Sequence, residues 1–300
     1  MKIDINLYIH RERGPRMRRL FTYSIILFIL LSLVPSKIEA SVLTEEPKMQ
    51  VKLVSYLGNK PSISLGVTGT YNVEGTSTQL TSDKKYTVKV EAGTYLSLFD
   101  GTSIIAAGDT IKISPVNEGD RALINNRPYF GSFDFTIENH LYVRPINKIG
   151  MEDYLKSVVP HEMYASWSRE ALKVQAVAAR TYAYVRMNKV IDDSTAYQAY
   201  GGASNLHPNS NAAVEETAGE ILVYNGRPIE AVYSASNGGM TESNFNEWGG
   251  TQLPYLPVQK DEFDTQKKWN ITIQKQQINT AGLNLSLPDT WWNNTNEVDK

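Results

Sequence analysis

A change of hydrophobic period near Gly150 constrains the fold of this chain more than any other feature. Residues 49 to about 149 are a succession of short runs: MQVKLVSYL, SISLGVTGTYNV, KYTVKVEAGTYLSLF, IKISPV, YFGSFDFTI and HLYVRPI. They are rich in Val, Ile, Thr, Tyr and Phe, side chains that suit a pleated, half-buried surface, so they read as strands. Tyr71-Asn72, Glu74-Gly75, Asp100-Gly101 and Glu118-Gly119 read as turns between them. From Met151 the apolar residues recur at three and four instead. MEDYLKSVV predicts a short helix with Tyr154, Leu155 and Val158 on one face. A second helix is predicted over 168–188, with Ser168 as N-cap and Glu170 in the first turn. Ala176, Ala178 and Ala179 make it thin, so that another element can pack closely on it.

The expected class is therefore α+β: a β-rich N-terminal part followed by a mixed domain built on a central Ala-rich helix. Residues 41–48 read as a polar leader, and the stretch from 189 to about 217 reads as loop. ILVYNGRPIEAVYSAS predicts a hairpin, because Asn-Gly at 225–226 suits a type I′ turn. NGGMTESNFNEWGG reads as a Gly-rich loop, and WNITIQKQQI as a strand and a helix.

Charge is uneven along the chain. The formal net charge is −2, but residues 1–40 hold seven Lys/Arg and three Asp/Glu, which leaves 23 and 29 for the remainder and a balance near −6. An acidic body argues against a nucleic-acid partner, which needs a basic face. Arg11, Arg13, Arg16, Arg18 and Arg19 precede an apolar run at 20–34, closed by Pro35. That run is short for a membrane span, which takes about 20 residues. The expectation is a secretory signal peptide in residues 1–40, or an N-terminal anchor, with Met17 as an alternative start and a mature chain from near Ser41. Membrane contact is expected only through that segment, and the location expected is the outer face of the cytoplasmic membrane or beyond. With no cysteine there is neither a disulfide framework nor thiolate chemistry.

The candidate chemistry centres on VVPHEMYASWSREALKVQAVAARTYAY. Glu162 follows Pro160 and lies among Val158, Val159, Met163 and Trp167, an apolar bed that suits a carboxyl acting as a proton donor. The competing reading is a helix-start glutamate favoured by the macrodipole. Arg180 falls inside the Ala-rich helix, where a charge must either reach solvent or meet a carboxylate, Glu162 being one candidate. Glu242, Glu247 and Asp261 are alternative acids, and Trp248 and Tyr255 are alternative surfaces for stacking on sugars.

Three blocks, VVPHEM…EALKVQAVAARTYAY, NLHPNSNAAVEETAGEILVYNGRPIEAVYSASNGGMTES and WGG…LPYLPV, resemble the stage II sporulation protein D family, whose relatives include the amidase enhancers. The likeness covers about 125–265 and divides the chain into a β-rich region at 41–124 and a family-like domain at 125–300. It implies a peptidoglycan lytic transglycosylase of Gram-positive envelopes that leaves 1,6-anhydro-muramic ends on glycan strands. It further implies that Glu162 is catalytic and that Lys173, Arg180, Ser236, Gly238, Gly239 and Glu242 lie on the substrate side, with Ser234 and Thr241 in the same loop. Read from the residues alone, Lys173 is equally an outward solvated charge, and Arg180 a scaffold contact. The family's HP motif falls on His207. Some members bind zinc there with a cysteine; this chain has none, so no metal and no cofactor is expected and His207 is expected to order its loop by hydrogen bonds. The family's closing Gly/His-rich block is missing before Lys300, so a truncated C-terminus is expected. Expected partners are glycan strands and a cell-wall amidase. The alternative function is a non-catalytic wall-binding enhancer of an N-acetylmuramoyl-alanine amidase, and a third is an envelope scaffold.

Overall fold

The strand-like runs fold as alternation demands: in Ser62–Thr68, Ile63, Leu65 and Val67 turn inward while their neighbours face out. A computed structural model describes residues 38–42 and 46–264 of the chain. The expected signal segment up to 37 and the expected strand and helix near 269–278 lie outside the described residues. The strands in chain order are β1 (Ile38–Val42), β2 (Lys48–Lys52), β3 (Ser62–Thr68), β4 (Thr70–Val73), β5 (Gln79–Thr81), β6 (Tyr86–Glu91), β7 (Tyr95–Asp100) and β8 (Ser103–Gly108). They continue as β9 (Ile111–Pro115), β10 (Arg121–Ile124), β11 (Arg127–Tyr129), β12 (Ser132–Glu138), β13 (Tyr142–Gly150), β14 (Val190–Asp192), β15 (Glu220–Tyr224) and β16 (Arg227–Pro228). The helices are α1 (Met151–Glu162), α2 (Arg169–Tyr184), α3 (Pro208–Glu216) and α4 (Asn244–Trp248). The architecture is strand-rich α+β.

Two sheets share one core: a six-stranded sheet ordered β11-β10-β3-β6-β7-β8 and a seven-stranded sheet ordered β14-β2-β13-β12-β9-β4-β5. Two of the chain's crossings between these sheets turn at glycines. Gly69 separates β3 from β4 at φ 77°, where a Cβ would fall 1.9 Å from Asp120 Oδ1. Gly131 separates β11 from β12 at φ 77°, where a Cβ would fall 2.2 Å from the Lys148 carbonyl. Only glycine meets both demands, a left-handed backbone and no side chain. The buried Tyr71 hydroxyl reaches both corners, with Gly131 O at 3.0 Å and Asp120 O at 3.3 Å. The turn expected at Tyr71-Asn72 is therefore strand, the bend lying two residues earlier at Gly69.

The switch of period at Gly150 is where β13 runs directly into α1. Gly150 offers no side-chain cap, and Glu46 supplies one from outside, its Oε1 accepting from the Glu152 N–H at 3.0 Å. α2 has the expected cap, Ser168 Oγ accepting from Ala171 N–H. Strands on both sides of the 124/125 division share the two large sheets, and β14 pairs in parallel with β2 after the helices. Two stretches read as loop or leader are regular. α3 starts on a His207 cap with Pro208 in its first turn and buries only Ser210, Ala213 and Val214, too few apolar residues to print a period. β1, whose residues 38–40 fall in the expected signal segment and 41–42 in the expected leader, pairs with β15 from Ile38↔Tyr224 to Val42↔Glu220. The hairpin turn stands as expected, with Asn225 at φ 51° and Gly226 at φ 73°.

Candidate active site around Glu162

Glu162 is the last residue of α1, not the start of the next helix; 163–168 intervene before α2. It therefore sits at the end where the macrodipole does not favour an anion, which removes the helix-start reading. The helix runs through Pro160, whose carbonyl accepts from Asn205 Nδ2 at 3.2 Å, and ends with Met163 N–H on Val159 O. Of the expected apolar bed, Val158 and Val159 are fully buried, but Trp167 is 54% exposed. Trp167 pairs instead with Tyr164, 75% exposed, their ring centroids 6.3 Å apart. Along the chain the glutamate thus follows a buried apolar run and precedes an exposed aromatic pair.

One oxygen of Glu162 is held: Oε1 accepts from the Ala199 N–H at 2.9 Å. Among the described residues no cation pairs with it. The segment that presents Ala199 is tightly tied. Gln198, buried, accepts from Tyr154 Oη at 3.1 Å and donates to Tyr233 Oη at 2.9 Å and Ala179 O at 3.3 Å. Tyr200 stacks on Tyr154 with centroids 5.2 Å apart and donates to Asn147 Oδ1 at 2.6 Å, which anchors the segment to β13. Gly201 and Gly202 follow. A Cβ on Gly201 would meet His161 Nε2 at 2.2 Å, and Gly202, at φ 61°, lies against the Pro128 carbonyl and the Tyr129 ring. Burial pushes the phenols of Tyr154, Tyr182 and Tyr233 up, with the Glu162 carboxylate adding in the same direction, so all three stay protonated donors or acceptors. Gln198, Ala199 and Tyr233 gave no signal in the sequence; Tyr154 registered only as the apolar face of a helix.

Arg180 meets a carboxylate as burial requires, but it is Glu152, not Glu162. The guanidinium is fully buried and bidentate, Nε to Oε1 at 2.9 Å and Nη2 to Oε2 at 2.7 Å. It also donates to Val214 O at 3.1 Å and Glu220 O at 3.2 Å. One side chain thus ties α1, α2, α3 and β15. Of the two readings open for Arg180, this is the scaffold contact. Lys173 joins Glu216 at 2.8 Å and Glu170 at 3.1 Å on the α2–α3 surface. Arg169 and then Lys173 hold the Glu216 carboxyl down to about 2.

The Ser/Gly loop folds around two aspartates. Asp264 Oδ2 accepts from Ser236 Oγ at 2.7 Å, Asn237 N–H at 2.6 Å and Gly238 N–H at 3.0 Å, and these bonds, Ser236 first, lower its pKa. Asp261 accepts from Asn237 Nδ2 at 2.8 Å, the main cause of its lowered pKa. Gly238 and Gly239 take φ 69° and 88°. Glu242 accepts from the Ser243 N–H at 2.6 Å and from Asn246 Nδ2 at 2.8 Å, and the Ser243 bond is the largest cause that lowers its pKa. Carboxyls held ionised in this way are poor proton donors, which weakens Glu242 and Asp261 as alternative acids. Glu247 and Trp248 lie exposed in α4. Tyr255 packs on Tyr224, centroids 5.5 Å apart. Among the described residues no hydrogen bond joins this loop to Glu162; Tyr233, just before it, is the link. His207 orders its loop by hydrogen bonding, Nδ1 accepting from the Asn209 N–H at 3.2 Å.

Residues 140–224, which carry α1, α2, α3 and Glu162, match the family described as Stage II sporulation protein. The chain belongs to the stage II sporulation protein D and amidase-enhancer family. It is 39% identical over 247 residues to the protein named Amidase enhancer of Bacillus subtilis (strain 168), covering 81% of this chain and 34% of that protein. It is 30% identical over 177 residues to Stage II sporulation protein D of the same organism, covering 52% and 46%, and 31% identical over 180 residues to that of Bacillus amyloliquefaciens, covering 53% and 46%. The chain spans about a third to a half of the length of these relatives. No helix among the described residues is long and apolar enough to cross a membrane.

Proposed function

We propose that this chain works on bacterial peptidoglycan as a lytic transglycosylase, with Glu162 as its single acid and base. The observation that carries the reading is the state of that carboxyl: one oxygen fixed by a backbone N–H and no cation bound to it among the described residues, with an exposed aromatic pair two and five residues further along the chain. Aromatic faces are where sugar rings stack. An intramolecular reaction needs only one protein carboxyl. Glu162 gives its proton to the glycosidic oxygen as the C1–O bond of muramic acid breaks, releasing the glucosamine hydroxyl. The carboxylate then takes the proton of the same sugar's 6-hydroxyl as that oxygen closes on C1. The 1,6-anhydro ring replaces the water that an ordinary glycosidase would add. A general acid of this kind contributes roughly 10²–10⁴-fold. Incubation with glycan strands stripped of stem peptides, followed by mass spectrometry for anhydro ends, tests the reading; strands returned uncut would refute it.

A second reading is favoured by the likeness to the protein named Amidase enhancer across 81% of the chain. In it the chain binds the wall at the cell envelope and raises the rate of a cell-wall amidase without cutting glycan. Amidase turnover on whole walls, measured with the native chain and with Glu162→Gln, separates the two. Enhancement that survives the substitution supports the non-catalytic role; enhancement that disappears with the carboxyl supports cleavage as its cause.

A further inference from the structure

We propose that Gln198 is a positioning residue for the Glu162 carboxyl, acting through the Ala199 amide. Its catalytic consequence rests on the glycan-cleaving reading above; its geometry does not. A backbone N–H is aimed by whatever fixes its own peptide, and here that is the side chain one residue earlier. Gln198 is 1% exposed and commits both amide N–H groups and its amide oxygen to three separate segments. The Ala179 carbonyl of α2 can only accept, so it must face the amide nitrogen, and this sets the orientation of the group. The amide oxygen then accepts from Tyr154 of α1, and the second N–H goes to the Tyr233 oxygen. Three anchors leave the 198–199 peptide no freedom to rotate. The N–H of Ala199 is thereby held on Glu162 Oε1, and the other carboxyl oxygen is left for a reacting group.

Because Tyr233 accepts from Gln198, its own hydroxyl hydrogen is uncommitted on the same wall. The phenols of Tyr154, Tyr182 and Tyr233 are raised in part by the Glu162 carboxylate, and Arg186 lies over the Tyr182 ring at 3.6 Å and pairs with Glu230 at 2.8 Å. None of these cations or phenols replaces the Ala199 N–H as the partner of Oε1.

The test joins an activity-independent measurement to kinetics on the full chain. In a ¹H–¹⁵N titration the Ala199 amide should follow the ionisation of Glu162, and the response should vanish in Glu162→Gln. In Gln198→Met, which keeps length and removes every hydrogen bond, that response should fall by about half or more. Anhydro-product kcat should drop roughly 10- to 100-fold with KM nearly unchanged, the signature of a misplaced acid, and the alkaline limb of the pH–rate profile, where the acid loses its proton, should move. Should Gln198→Met fail to fold, Tyr233→Phe removes one anchor at the half-buried rim and should give a several-fold loss of kcat with a weakened amide response. An Ala199 amide indifferent to Glu162 in the native chain would overturn the proposal. So would a folded Gln198→Met, or a Tyr233→Phe in its place, with native kcat and pH profile. If Glu162→Gln keeps full activity, the cleavage reading falls while the titration still decides the positioning.

Discussion

Glu162 and Arg180 come from one stretch of sequence, and the structure treats them in opposite ways. Arg180 is fully buried, with both nitrogens of its fork on Glu152 and further bonds to Val214 and Glu220. Glu162 ends a helix, half-buried, and among the described residues the Ala199 N–H is its one side-chain hydrogen-bond partner. A charge with every donor satisfied inside the protein holds elements together and has nothing left for a ligand. A carboxyl with one oxygen fixed and one free can exchange a proton. The contrast teaches that the number of unspent hydrogen bonds, not the presence of a charge in a motif, separates chemistry from scaffold.

The sharpest way to break the comparison is Glu162→Gln. Anhydro-product formation should fall by at least about 10²-fold, the worth of a general acid, while the melting temperature stays near native. Unchanged turnover would return Glu162 to a structural role. Next in size is Arg180→Ala, which empties a buried site and leaves the part-buried Glu152 without its cation, and should cost about 3–5 kcal/mol in denaturant unfolding. Native stability there would show that the pin is dispensable and the contrast false. Gly202→Ala should cost about 1–3 kcal/mol, since it forces a left-handed backbone and a Cβ 2.5 Å from the Pro128 carbonyl. It should also lower turnover, because Gly202 ends the segment that carries Ala199. A variant as stable and active as the native chain would separate that segment from the site.

The smallest effect is expected from Lys173, a surface charge paired with Glu216 and Glu170. The Glu216 carboxyl is depressed from 4.5 to about 2 by Arg169 and Lys173. A depressed acid stabilises fully above its ordinary value, and that contribution fades as the pH falls from about 4.5 to about 2. Lys173→Ala should therefore leave activity almost unchanged, lower neutral stability slightly, and flatten the acid limb of the stability curve by the same small amount. A large loss of glycan turnover with normal folding would instead make Lys173 a substrate contact.

Local signals carried much of the fold. The strand runs, the switch at Gly150, the Ser168 cap and the Asn225-Gly226 turn were legible because period, capping and positive φ are properties of neighbouring residues. Glu162 stood out for the same reason, a lone acid beside an apolar run. α3 was hidden because its buried face is three small or modest residues, and β1 because a ladder between residues some 180 apart leaves no mark in composition. The Tyr71 turn was misread because the decisive fact is a clash with Asp120, far along the chain.

By itself the sequence determined which segments alternate, where the period changes, and that a single acid follows Pro160. Tertiary structure decided that Arg180 takes Glu152, 28 residues away, out of 32 acidic side chains in the chain. It also decided that an unremarkable Gln198 carries three anchors, and that Ala199 rather than a side chain holds the acid. The physical reason is one of range. Dihedral preference and amphipathic period act within a few residues, whereas the partner of a buried polar group is chosen by whichever segments packing brings within 3 Å of it.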